Sequence, residues 1–152
     1  MKHYFLPIEE NPHQALNSLW ATLYQKRFEP DIIYVVFEEN AKETLDQIVD
    51  NIKIIVENYE LNCEVDSLIL EEKNELKKVI EKHNDSNSNL SLDISGASKY
   101  LTGKILSSLD RDIFDHIFLT EIAEEDRDKM FPTIDHDKLN VIDLKTDVEE
   151  DY

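Results

Sequence analysis

Six short apolar runs, each parted from the next by a polar or helix-patterned stretch, limit what this chain can fold into more than any other feature. They lie at Tyr4 to Ile8, Asp31 to Phe37, Cys63 to Leu70, Leu90 to Ile94, Phe114 to Leu119 and Leu139 to Leu144. The run DIIYVVF at 31–37 is nearly continuous and rich in β-branched residues, and HIFLT at 116–120 is similar. Runs of this kind fit strands covered on both faces, as in parallel sheets. Between them, Ala15, Leu16, Leu19, Trp20 and Leu23 recur at helical spacing. So do Leu45, Ile48, Val49, Ile52, Ile55 and Val56, then Leu76, Val79 and Ile80, and then Leu101, Ile105, Leu106 and Leu109. Residues 121–133 are charged and predict a short helix or a loop. The order βαβαβαβαβ(α)β predicts a three-layer α/β sandwich around a mostly parallel six-stranded sheet. One domain over residues 1–145 and an acidic tail over 146–152 account for the chain, and its acidic end is also where a longer protein would be cut.

Charge narrows the partners. The formal net charge is −18, which repels nucleic acid and anionic membranes at long range, so generic DNA binding is not expected. A small anion is still allowed, because salt screens the distant field over about 8 Å and a local pocket of amides and lysines dominates at contact. No apolar run reaches the roughly 20 residues of a membrane span. The start, MKHYFLPIEE, reads as a first strand, not a secretory signal. A single cysteine, Cys63, allows no internal disulfide; it reads as a small buried hydrophobe in a protein of the cytoplasm.

Both glycines of the chain fall within SLDISGASKYLTGK at 91–104. The stretch reads as the fourth strand, a turn and the fourth helix. Open α/β sheets bind ligands beyond the carboxyl ends of their strands, where strand order reverses. In the order 3-2-1-4-5-6, PIEENPHQ after the first strand and DISGASK after the fourth meet at that point. Gly96 can adopt a positive φ and admit a ligand to the backbone. Ser95 and Ser98 offer hydroxyls and helix capping. The helix N-terminus favours an anion, and Lys99 in its first turn opposes the dipole, which points to a negatively charged partner. An ordinary strand–helix turn with a surface lysine is the other reading of the same residues. No Gly-x-Gly-x-x-Gly follows the first strand, and no Gly-x-x-x-x-Gly-Lys-Ser/Thr is present.

LDISGASKYLTGKIL resembles the strand–turn–helix signature of CRISPR-associated Rossmann-fold (CARF) domains, whose fourth strand commonly ends in a Thr-Gly-Gly-Thr-Lys-like turn. Ser95, Gly96, Ala97, Ser98 and Lys99 occupy the five positions in order, with Ala97 in place of the second glycine. The resemblance covers nearly the whole chain. It implies a Rossmann-like fold and a homodimer that binds a cyclic oligoadenylate across its two-fold axis, as a sensor in type III CRISPR signalling. The ligand contacts it implies are Ser95, Gly96, Ala97, Ser98 and Lys99, with Asn11 and His13 from the loop after the first strand. The family also contains ring nucleases, which cleave the bound messenger without metal or cofactor; His13 and Lys99 are then the catalytic candidates.

A third reading is an unrelated α/β protein that binds a nucleotide or a magnesium phosphate. It draws on Glu9-Glu10, Glu38-Glu39 and Glu71-Glu72, each after a strand, and on Glu121, Glu124 and Glu125 after the fifth. Such acids can hold Mg²⁺, and they equally favour the helix N-termini they precede. His3, His13, His83, His116 and His136 lack zinc-ligand spacing. Among them His13 lies where a ligand would pass, suited to a phosphate hydrogen bond or to proton transfer. Trp20 and Tyr24, four apart on the first helix, read as core or dimer contacts.

Overall fold

The computed structural model describes residues 1–9, 12–38, 42–70, 75–109, 111–126, 129 and 133–147. The ten principal elements run in chain order as β1 (Lys2–Pro7), α1 (Pro12–Gln25), β2 (Ile32–Glu38), α2 (Lys42–Asn58), β3 (Glu64–Leu70), α3 (Glu75–His83), β4 (Asn89–Asp93), α4 (Lys99–Ser108), β5 (His116–Ile122) and β6 (Leu139–Asp143). The strands form one sheet in the order β3-β2-β1-β4-β5-β6. The first four pairings are parallel, and β6 runs antiparallel to β5, with Glu121 opposite Asn140. The protein is thus a Rossmann-like α/β sandwich.

Alternation along the strands sorts the core into two layers. Tyr4, Leu6, Ile33 and Val35 face α1 and α2, where Leu16, Leu19, Trp20, Ile52 and Ile55 meet them. Phe5, Tyr34, Val36, Leu90 and Leu92 face α3 and α4, against Leu76, Ile80, Leu101 and Ile105. Each such side chain, buried fully, contributes roughly 1.5–3 kcal/mol, which is what holds the three layers together. Trp20 belongs to this core, whereas Tyr24 is exposed.

One strand boundary departs from the sequence reading, and the charged stretch after the fifth strand follows it. The run at Phe114 to Leu119 was expected to be strand throughout, yet β5 starts at His116. A 3-10 turn at Arg111–Ile113 precedes it, and Phe114 is buried as an anchor in the α3/α4 layer before pairing begins. In the charged stretch after β5, the described residues hold only a 3-10 turn at Glu124–Asp126, and the chain returns as an antiparallel edge strand. Gln25, at the end of α1, secures that edge: its amide donates to the Leu139 carbonyl at 2.5 Å and accepts from the Val141 N–H at 3.1 Å.

Cys63 lies just before β3 and is half-buried. Burial first, and the Asp31 charge second, push its thiol up to about 11. A thiol held protonated in this way is a poor nucleophile.

Candidate functional site at the carboxyl edge of the sheet

Strand order reverses between β1 and β4, and the segments leaving those two strands are tied together there. The Glu9 N–H donates to the Gly96 carbonyl at 3.2 Å, and the Ser98 N–H donates to the Glu9 carboxylate at 3.1 Å. Glu9 therefore places a negative charge at the start of α4, which the helix dipole favours. Ser98 is the N-cap: its backbone is extended (φ −68°, ψ 164°) and its hydroxyl accepts from the Leu101 N–H at 3.0 Å.

The expected role of Gly96 needs correction. Its φ is not positive. What the position demands is the absence of a Cβ, since one built there would lie 2.5 Å from the Ala15 Cβ and 3.1 Å from the Pro7 carbonyl oxygen. Gly96 is a packing glycine that lets α1 sit against the β4–α4 turn. Its neighbours are also turned inward. Ala97 packs on the α3/α4 layer of the core. The Ser95 hydroxyl accepts from the Thr120 N–H at 2.7 Å and lies 2.9 Å from the Ser18 hydroxyl.

Beneath the turn lies a buried polar network. Asp93, the last residue of β4, is fully buried. It accepts from the Tyr4 hydroxyl, from Ser18 at 2.6 Å and from the Ser95 N–H at 3.0 Å. Ser18 also meets Thr120 Oγ1 at 2.7 Å. Burial raises the Asp93 carboxyl above its usual range, against the pull of these donors. Burial, and then the Asp93 charge, raise the Tyr4 phenol well above its own. The network draws β1, α1, β4 and β5 together under the turn and leaves its members little freedom. Each would be costly to bury without these partners.

Above the network, Lys99 and Tyr100 open α4 and are exposed. Among the described residues no acceptor meets the N–H groups of Gly96, Lys99 or Tyr100, and none pairs with the Lys99 ammonium. Three amides and one cation are thus without a partner among the described residues. His13 lies in the first turn of α1 and is partly buried, while Asn11 falls outside the described residues.

A cleft of about 580 Å³ adjoins the turn. Gln14, Ser95, Thr120, Glu121, Lys138 and Asn140 line it, together with the apolar Leu119, Ile122 and Ala123. Among the described residues no three His, Cys, Asp or Glu side chains are placed to hold a metal ion. Glu121, Glu124 and Glu125 are exposed, and Glu10, Glu39, Glu71 and Glu72 lie outside the described residues.

Sequence reasoning missed Asp93, Ser18, Thr120 and the part played by Glu9. An acid closing an otherwise apolar strand was the available signal for Asp93, since a charge there is either buried with partners or at a site. No family model matches this chain, and no curated protein matches it.

Proposed function

We propose that the chain binds a cyclic oligoadenylate at the carboxyl edge of its sheet, as a homodimer, and serves as a sensor domain of type III CRISPR signalling in the cytoplasm. The observation that carries this reading is the start of α4 at the reversal of strand order. There the Lys99 ammonium and the N–H groups of Gly96, Lys99 and Tyr100 have no acceptor among the described residues. Such a cluster suits a phosphate. The likeness of Ser95 to Lys99 to the CARF turn supplies the ligand class, and a two-fold ligand suits a two-fold protein. With Ser95, Gly96 and Ala97 engaged in the fold, the contacts to phosphate fall to backbone amides and to Lys99, with Ser98 holding the helix start. A phosphate bound there has to displace the Glu9 carboxylate from the Ser98 amide, or share the site with it.

Cleavage of the ring is the alternative activity. His13, in the first turn of α1, would then be the proton-transfer candidate and Lys99 the phosphate ligand, with the messenger's own 2′-hydroxyl held in line. Incubation with labelled cyclic tetra- and hexaadenylate tests both readings. Capture of one ring per two chains with the ring intact is the expected result. Linear products in the absence of metal assign a ring nuclease, and failure to capture either ring refutes the binding reading.

A further inference from the structure

We infer that the cleft beside the turn receives the adenine base of the ligand, and that Asn140 and Glu121 select it; this rests on the nucleotide reading above. Three features of the cleft point this way. It adjoins the turn, because Ser95 belongs to both, which sets a base subsite beside the phosphate site proposed at Lys99. Its volume, about 580 Å³, lies within the roughly 300–1,000 Å³ usual for small-molecule sites. Leu119, Ile122 and Ala123, which also line it, contribute apolar surface.

The polar groups decide the class of ring. The Ser95 and Thr120 hydroxyls are already engaged with Ser18 at 2.9 and 2.7 Å, so they shape the wall and do not read a ligand. Lys138 lies 3.9 Å from the buried Asp126 carboxylate, which offsets its charge. Gln14, the other polar residue of the lining, has an interaction of its own, which leaves Asn140 and Glu121. They are exposed cross-strand partners, and the Asn140 amide donates to the Glu121 carboxylate over a long 3.5 Å. A bond at that limit is weak and readily exchanged. Side by side, the two residues present acceptors for an exocyclic amine and one amide N–H for a ring nitrogen, the pattern by which an amide reads adenine. The Glu121 charge disfavours a phosphate in the cleft and so orients the ligand, with phosphate at Lys99 and base in the cleft. A 6-keto purine would put an oxygen where the amine belongs, facing the carboxylate.

The test compares cyclic tetraadenylate with the same ring carrying inosine in place of adenosine, on the wild type, Asn140→Leu and Lys99→Ala. The wild type is expected to prefer the adenine ring by about tenfold or more. Asn140→Leu should lose that preference and bind the adenine ring about tenfold more weakly, at an unchanged melting temperature. Lys99→Ala should weaken both rings and keep the preference. If Asn140→Leu retains wild-type affinity and preference, the base subsite is overturned while the phosphate site stands. If the wild type binds neither ring, the nucleotide reading falls and the subsite falls with it.

Discussion

Gly96 shows how a residue chosen for one reason can imitate another. A glycine in a strand–helix turn suggests left-handed backbone or access for a ligand, yet here the missing Cβ makes room for Ala15, 2.5 Å away. Gly96→Ala should therefore destabilise the fold by about 1–3 kcal/mol, as overpacking does. Ala15→Gly alone should cost about 1 kcal/mol for a glycine within a helix. Because the second change removes the clash made by the first, the double variant should be more stable than the two single effects predict. Urea titration of the four proteins measures this coupling, and strict additivity would contradict the packing account. At this scale the sequence was partly legible. Ser98 as cap and Lys99 at the helix start could be read from local pattern, because capping depends on neighbours three residues away. Asp93 and Glu9 could not, because their partners are distant: Tyr4 is 89 positions from Asp93, and Glu9 is 89 from Ser98.

Among the elements, α4 carries the proposed site at its first turn and an unexplained glycine further along. Gly103 is exposed, and a Cβ there would meet nothing within 4 Å. Its φ is not positive. Alanine at this position loses less conformational freedom on folding, so Gly103→Ala should stabilise the protein by about 0.5–1 kcal/mol. A urea midpoint that fails to rise would contradict the reading of this face as open in the single chain. The elements themselves were legible wherever apolar spacing was strong. The apolar runs became β1, β2 and β3, and the stripes at helical spacing became α1 to α4. The boundaries of β5 were less so. Phe114 continues the apolar run in sequence but is spent on the α3/α4 layer before strand pairing begins. The antiparallel direction of β6 fits the character of the connection after β5. In the described part of that connection only single turns occur, without a helix to carry the chain back for another parallel strand.

For the molecule as a whole, the three-layer architecture was legible because six strands and four helices alternate with few ambiguities, and the sheet order then brings the β1 and β4 ends together. Titration of the fold as a unit depends on groups buried within it. His3 is buried, its ring 4.5 Å from that of His83 and stacked at 6.0 Å on Tyr34. Burial first, then the charges of His83 and the N-terminus, lower its pKa below 6.5, while Asp31 and Asp85 oppose them. As pH falls through about 6.5 the unfolded chain takes this proton before the folded one does, so His3 lowers stability from there down to its folded pKa. Asp93, raised by burial, acts in the opposite sense, and the stability it adds grows as pH falls through its raised value. His3→Phe keeps a ring in the stack and removes the titration. Its stability should fall less than that of the wild type between about pH 7.5 and 5.5 in urea titrations, and an unchanged difference would contradict the assignment. The site adds a charge argument at the same scale. In a chain of net charge −18, an anion is held only where local groups outweigh the whole, and Lys99 with the opening amides of α4 is the place proposed for it. The most direct measurement is titration calorimetry of cyclic tetra- and hexaadenylate on the wild type, Lys99→Ala and Glu9→Gln. Charge-assisted contacts are worth roughly 1.5–3 kcal/mol each, and Lys99 would make one per protomer of the dimer. Lys99→Ala should then weaken binding on the order of a hundredfold without lowering the melting temperature, while Glu9→Gln, by removing the competing charge, should tighten it. Binding by Lys99→Ala as tight as that of the wild type would show that the turn after β4 is an ordinary strand–helix connection.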